Sequence, residues 1–598
     1  MKKISILIAL LFVSAQFAAA KTIDIFHTSD VHGSYFARPA KKVYGDDPDR
    51  MMGGFATLKA MLKKEKTPYI MLDSGDMFQG TPEGIFTRGE ASIDYMNKIG
   101  YSAVVPGNHE FDYGQLLVVG LAKRAKFPFL AANIYIEGSN ERPDWVKPYI
   151  IIKKAGKRIA VFGLAGKHTK THSNPKNTFG LDFRDEAAEA KKIVAEIKEK
   201  EKPDAIICIA HLGSDEHFSR SIVDELPDYV TEHCRSCRRL FPDREYEEFL
   251  PRGIQHVARA ARDIDLILGG DFHTGLAKGH KDDVTGISIG ESFTNLMFTT
   301  KAELNFNDKT GKLESVNVKL VPLWTDVYGQ DKGILKMDAK LKAKIDETML
   351  QKVGYTEGEL SFSSENLDSK IGNWICDLTK DAVGAQMGFQ NTGGIRVELP
   401  KGDITMGDLY RVMPFDNTIV TMKMTGKALK RMIAESYENE SAGMQISGLK
   451  VEILPARDGK HDFRLFDSSG KLIEDTDEYI IATNNYLADG GNYGAAFKEE
   501  GTEAKDSKLV FRDIMREALE KGSLPEQQTG RYVRISAEQY EAELAAAAEA
   551  EAAAKAAEAE ARAAEEAARK AAEAAKKKAA KPAKNPVKKT VKSPAKKK

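Results

Sequence analysis

The stretch IDIFHTSDVHG, residues 23–33, decides the fold: an apolar, β-rich run, Ile23–Thr28, stops and is followed at once by Asp30 and His32. The same event recurs along the chain. Asp73 and Asp76 follow the run Tyr69–Leu72, and Asn108, His109 and Asp112 follow Ala103–Val105. His211 follows Ala205–Ala210, and Asp271 and His273 follow Ile264–Leu268. With the further run Arg158–Leu164 and helical patterns such as Gly54–Lys66 and Ala187–Glu201, the alternation predicts an α/β layered domain from Lys21 to about Pro322. In open α/β sheets the carboxyl ends of the strands share one edge, and ligands bind there. Asp and Asn favour turns in any protein, so one such strand end means little. Five strand ends that each deliver Asp, Asn or His predict a site. Asp73 is the exception and is read as a supporting turn residue.

Carboxylate, amide oxygen and imidazole suit borderline or hard divalent cations such as Mn, Zn, Co, Mg or Fe, and no thiolate stands at these ends. One acidic side chain can bridge two ions, and two ions stabilise both the attacking and the leaving oxygen of an in-line phosphoryl displacement. A water bridging them becomes hydroxide near neutral pH because the metals lower its pKa.

Three segments carry a specific resemblance: TSDVHG at residues 28–33, GDMFQGTP at 75–82 and GNHEFD at 107–112. In this order and at this spacing the chain resembles the secreted bacterial 5'-nucleotidase / UDP-sugar hydrolase family, over about residues 22–535. The resemblance implies a four-layer metallophosphoesterase sandwich flanked by helices, joined to a second α/β substrate-binding domain. It implies Asp30, His32 and His273 on one metal ion, Asn108, His211 and Asp271 on a second, and Asp76 bridging both. It implies that His109, oriented by Asp112, stabilises charge in the transition state or at the leaving oxygen. An imidazolium held by a carboxylate is a good donor to a developing anion. The chain departs from the family at Asp271, where a histidine is usual. His27, His168, His172, His217, His233 and His256 are expected to be structural or solvated.

The second half, from about Gly354 to Ile535, has Gly- and Asn-rich turns at 391–396 and 484–494. The turn NTGGIR, residues 391–396, resembles the family's substrate-binding turn, with Asn391, Gly393, Gly394 and Arg396 as contacts. Asparagine can meet a base edge, and the planar fork of arginine matches phosphate oxygens. MPFDN at 413–417 and YLADGGNY at 486–493 resemble the segments that supply two stacking aromatics, here Phe415 and Tyr486. Stacking on both faces of a ring binds a base without demanding one identity. Two more departures fall here: residues 361–370 contain no arginine, and Asn492 stands where the family places an acid toward the ribose. The family also implies hinge motion, since clamp and metals sit on different domains.

The two ends differ from the body. Residues 1–20, with Lys2 and Lys3, the apolar run Ile4–Val13 and three alanines at 18–20, have the form of a secretory signal peptide cleaved after Ala20. The run is short for a bilayer span. A periplasmic or secreted location follows, and nucleic acid is a poor candidate partner. The stretch Met337–Val353 reads as a connecting helix within a linker at 326–353. Beyond Ser536 the composition turns to Ala, Glu, Lys and Arg; Ser536 and Gln539 predict a capping box for a helix over 537–575. Residues 576–598 carry eleven lysines and no acid, which leaves 77 basic against 88 acidic residues upstream. This Lys-rich tail is expected to be disordered and to contact anionic envelope components electrostatically. Of four cysteines, Cys234 and Cys237 could close a small disulfide after export, whereas Cys208 and Cys376 lie in apolar runs and read as buried thiols.

These readings converge on a dinuclear-metal phosphohydrolase acting on 5'-nucleotides or related phosphoesters. The alternatives are the same chemistry on a nucleotide-sugar pyrophosphate, cyclic nucleotide or sulfur ester, and a non-catalytic envelope scaffold acting through its tail.

Overall fold

The computed structural model describes residues 22–40, 47, 49–214, 221–224, 253–362, 367–439, 444–456, 461–522, 524 and 527–579. The signal-peptide reading, the Cys234–Cys237 pair, His217, His233 and most of the Lys-rich tail lie outside the described residues.

Two sheets face each other in the first half. One has seven strands in the order Leu313–Pro322, Phe298–Phe306, Thr22–Thr28, Tyr69–Asp73, Ala103–Val104, Phe129–Leu130 and Val146–Lys147. The other has six: His280–Lys281, Ser288–Glu291, Leu266–Gly269, Ala205–Ala210, Lys157–Leu164 and Tyr149–Lys154. Strand periodicity explains how the second sheet is covered on both faces. Ile159, Val161, Ile207 and Ile209 face the core shared with Ile23, Ile25 and Leu72 of the first sheet. Their neighbours Ala160, Phe162, Ile206 and Cys208 face the opposite way, onto Ile193, Val194 and Ile197 of the helix Glu186–Glu201. That helix starts one residue before the predicted Ala187, where the Asp185 side chain caps it by accepting from the Ala188 N–H. Each fully buried Ile or Phe contributes roughly 1.5–3 kcal/mol of transfer free energy to this four-layer packing.

The five ligand-bearing strand ends therefore divide between two sheets rather than sharing one sheet edge. Thr22–Thr28, Tyr69–Asp73 and Ala103–Val104 run parallel in the first sheet, and Ala205–Ala210 and Leu266–Gly269 run parallel in the second. Ser74 ties them: its hydroxyl donates to the Leu268 carbonyl at 2.9 Å, and its carbonyl accepts from His211 Nδ1 at 2.6 Å.

The connecting helix runs Lys332–Met349, earlier than predicted at both ends. Asp331 caps it by accepting from Gly333 and Ile334. Residues 352–356 instead form a strand paired with Gly402–Thr405. In the second half a five-stranded sheet, ordered Met444–Ser447, Met387–Asn391, Glu478–Asn484, Thr418–Thr425 and Thr502–Val510, packs near the helix Lys370–Ala382. Cys208 and Cys376 are buried free thiols.

A separate unit comprises residues 453–456 and 534–598. Its helix, Ala537–Ala579, is four residues longer than predicted, and the predicted capping box is present: Ser536 and Gln539 exchange side-chain to backbone hydrogen bonds at 3.1 Å. Pairs at i,i+4 run along it: Glu551–Lys555, Glu558–Arg562 and Glu566–Lys570. Each contributes roughly 0.3–0.5 kcal/mol. At 1.5 Å per residue the helix is about 64 Å long. No helix among the described residues is long and apolar enough to cross a membrane.

Candidate metal centre and substrate cavity

The strand ends place their polar side chains by turning sharply. Asp30, His32, Asp76, Asp271 and His273 all have positive φ, between 48° and 76°. For residues other than glycine this left-handed conformation costs on the order of 1 kcal/mol or more each, and such strain persists only where surrounding bonds hold it. Here the backbone of one turn pairs with the next: Asp30 and His32 donate to Gly75 and Asp76 carbonyls at 2.9 Å, and the Asn295 N–H donates to the Asp30 carbonyl at 2.7 Å. Gly107 is required by close approach. A Cβ there would stand 2.2 Å from Asp76 Oδ1 and 2.8 Å from His211 Cε1.

The side chains that result are buried and mutually close. His32 Nε2 lies 2.9 Å from His273 Nε2 and 3.9 Å from Asp76 Oδ2, and His273 Nε2 lies 3.7 Å from Asp30 Oδ1. His211 Nε2 lies 3.1 Å from Asn108 Oδ1, 3.4 Å from Asp76 Oδ2 and 3.5 Å from Asp271 Oδ1. The Asp271 backbone N–H donates to the Asp30 carboxylate at 3.0 Å. Asp76 is thus the member common to both halves of the group.

Hydrogen bonding fixes which nitrogens point inward. Nδ1 of His32 and of His211 each meet a backbone carbonyl, of Gln79 and Ser74, at 2.6 Å. A carbonyl only accepts, so both Nδ1 atoms carry the hydrogen, and a neutral ring then presents the Nε2 lone pair to the centre. This is the usual support of a metal-ligating histidine. Burial lowers His32 to about 3, which keeps it neutral. Burial works against charge on His211, but Asp76, Asp271 and Asp30 outweigh it and raise its pKa well above the ordinary value. Three carboxylates, Asp30, Asp76 and Asp271, are enclosed here, and Asp271 Oδ2 makes no aligned hydrogen bond. Buried carboxylates call for compensating cations. The donor set, the tautomers and the excess negative charge all fit divalent ions.

Beside this group, His109 Nδ1 bonds Asp112 Oδ2 at 2.7 Å while its Nε2 lies 4.0 Å from Asp76 Oδ2. Burial opposes charge on His109, yet Asp112 and Asp76 raise its pKa overall. Glu110, quoted in the third motif without a role, is fully buried and accepts from the N–H groups of Gly107, Met77 and Asp76 at 2.7, 2.8 and 2.8 Å. It pins two ligand loops together. A carboxylate directly after His109 was the only sequence signal for it. Asp73 accepts from Thr28 Oγ1 and Gly75 N, as a supporting residue should.

All of this opens on one cavity of about 450 Å³. Asp76, Asn108, His109, Asp112, Asp271 and His273 line one side; Asn391, Gly393, Gly394, Arg396, Phe415, Tyr486 and Asn492 line the other. Asp30, His32 and His211 lie behind the first wall, fully or almost fully buried. The two walls touch. The Phe415 ring stacks near His109, centroids 5.6 Å apart, and Gln79 Nε2 donates to the Pro414 carbonyl. Asn391 Oδ1 accepts from Gln390 and Asn484. The Tyr486 hydroxyl lies 2.5 Å from the Thr171 carbonyl and 2.9 Å from Asn492 Oδ1. Asn492 therefore braces Tyr486, a use that the departure from the family's acid did not foretell. His168 precedes and His172 ends a helical turn, Thr169–His172; His172 is exposed, and His168 Nε2 lies 3.2 Å from Asp271 Oδ2. His27 is a core residue bonded to the Ser74 hydroxyl, and His256 lies on the helix Ile254–Ala260.

Comparison with known proteins agrees with this arrangement. Residues 23–275 match the calcineurin-like phosphoesterase family, and residues 352–499 match the 5'-nucleotidase C-terminal domain. A 5'-nucleotidase of Vibrio cholerae is 26% identical, over 85% of this chain and 92% of its own length. A trifunctional nucleotide phosphoesterase of Bacillus subtilis is 27% identical over 83% of this chain, which spans only 34% of that longer protein. The crystal structure of a 5'-nucleotidase precursor from Thermus thermophilus, 23% identical, superposes with a TM-score of 0.70 over 86% of this chain and 99% of that one. Matched from the first strand end through the substrate-binding half, the chain belongs to the 5'-nucleotidase family of calcineurin-like metallophosphoesterases and is a metal-dependent phosphoric ester hydrolase.

Proposed function

We propose that the protein releases phosphate from 5'-nucleotides, using two divalent cations, after export to the periplasm or medium. One observation carries this reading: a single cavity presents buried carboxylates and imidazoles on one wall and two aromatics, an amide and an arginine on the other. In this reading Asp30, His32 and His273 would hold one ion and Asn108, His211 and Asp271 the other, with Asp76 available to both. When bound, such a pair supplies Lewis acidity and nucleophile activation for in-line phosphoryl transfer.

The protein's own groups do the rest. Asp112 holds His109 Nδ1 and aims Nε2 at the cavity, where it donates to the oxygen on which charge develops. Arg396 offers its planar fork to phosphate oxygens. Phe415 and Tyr486 take the base between them, and Asn391, its oxygen already engaged, offers its amide hydrogens to the base edge. Similarity to the 5'-nucleotidase of Vibrio cholerae supports the substrate class. The sequence division at 325 and 353 supplies the two bodies of a clamp that closes on the nucleotide. The Ala-rich helix at 537–579 leads into the Lys-rich tail, a run of positive charge suited to anionic envelope components.

The test is phosphate release from a panel of 5'-nucleotides, a UDP-sugar and a cyclic nucleotide in Mn, Zn, Co and Mg, run beside Asn108→Ala. Metal-dependent release from 5'-nucleotides, abolished in the variant, is expected. Release from the sugar nucleotide or the cyclic ester alone would transfer the function to that substrate, and inactivity in every metal would reject catalysis.

A further inference from the structure

A second cluster of ligand-type side chains abuts the first. His168 and His172 stand four residues apart across the turn Thr169–His172, and the His172 N–H donates to the His168 carbonyl at 2.8 Å. This spacing puts two imidazoles on one face, the arrangement by which paired helical histidines bind zinc. Their ring centroids are 4.5 Å apart. Asp271 faces them, and ligand atoms of all three lie within 4.8 Å of one another.

The decisive detail is the orientation of Asp271. Its Oδ1 lies 3.5 Å from His211 Nε2 and its Oδ2 lies 3.2 Å from His168 Nε2. His168 Nε2 and Asp271 Oδ2, both shielded from solvent, meet as an ion pair rather than as a well-aligned hydrogen bond. Two groups that pair by hydrogen bonding point at each other. Two ligands of one ion point at the ion, and with bonds near 2.1 Å a tetrahedral pair of ligand atoms lies about 3.4 Å apart. An imidazole at position 271 presents a single inward nitrogen. A carboxylate presents two oxygens and can serve two ions.

We propose that His168, His172 and Asp271 form a third divalent-cation site of zinc type, with Asp271 bridging it to the ion assigned to Asn108 and His211. The bridging role rests on the two-ion reading above; the third site itself rests on the cluster. An ion there also secures the substrate wall. Thr171 lies between the two histidines, and its carbonyl receives both the Tyr486 hydroxyl and the Asn492 N–H, the latter at 2.9 Å. Fixing the turn therefore fixes the aromatic.

Zinc content per chain tests this, measured by elemental analysis after metal removal, reloading with zinc alone and exhaustive dialysis. The wild type, His172→Ala, His168→Gln and Asp76→Ala are compared, with folding checked by circular dichroism. His172 is solvent-exposed, so its removal leaves the core packing intact. Loss of about one ion per chain in each histidine variant, with the remainder retained, is expected. Zinc content unchanged in both, or a loss of more than one ion in His172→Ala, overturns the third site. Failure of the two-ion reading has a different signature: Asp76→Ala then keeps its full zinc content while His172→Ala still loses an ion.

Discussion

The two walls of the cavity are built by opposite means. The cation-facing wall consists of side chains at the ends of buried parallel strands, with five residues in the left-handed conformation and the imidazoles of His32 and His211 each fixed by a carbonyl behind it. The opposite wall consists of turns: Phe415 and Arg396 are partly exposed, and Tyr486 is oriented by Asn492 and by a carbonyl of the other half of the molecule. The first wall is preorganised by its own core, whereas the second depends on the docking of two halves. Rate should therefore be governed by one wall and affinity by the other.

Three experiments sharpen or break that division. The largest effect is expected from His109→Ala, which removes the Asp112-held donor. We expect kcat to fall about 10³-fold, within the usual range for a positioned acid or base, with bound metal retained. A loss confined to KM would move His109 to the binding wall. Next come Phe415→Ala and Tyr486→Ala. Stacking on an aromatic is worth roughly 1–3 kcal/mol per base, so KM for a 5'-nucleotide should rise about 10-fold in each while kcat changes little. A fall in kcat as large as that of His109→Ala, with KM unchanged, would show that the walls are not separable. The smallest effect belongs to deletion of residues 576–598. Turnover should be unchanged on both counts, and retention on anionic vesicles at low salt should be lost, since exposed charges act through a screened field. Equal retention of the full-length and shortened proteins would remove the tail from any surface role.

Much of this site was legible in the order of residues. The strands were readable because a buried strand must be apolar along a short run, and the ligand residues because they interrupt such runs where turns begin. The runs around Ile207 and Ile267 came through with boundaries within two residues. Other elements depended on partners distant in sequence. Residues 352–353 read as the end of a helix, yet begin a strand, 352–356, that pairs with 402–405, because hydrogen bonding across a sheet is invisible to local pattern. Glu110 carries no sign of burial in its neighbourhood, since its three donors come from two separate loops. His168 and His172 read as loop histidines because nothing near them announces that Asp271, a hundred residues onward, will lie opposite.

By itself, then, the sequence determined the periodicities, the helix cap at Ser536, and the chemical kinds of ligand delivered at each strand end. These are local properties: burial of alternate side chains, backbone satisfaction at a helix start, and the donor atoms of Asp, Asn and His. Tertiary structure alone decided that the five ends belong to two facing sheets, that Glu110 pins two of their loops together, and that Thr171 braces the aromatic wall. Those facts concern distances between residues far apart in the chain, and a distance of that kind exists only once the sheets have packed.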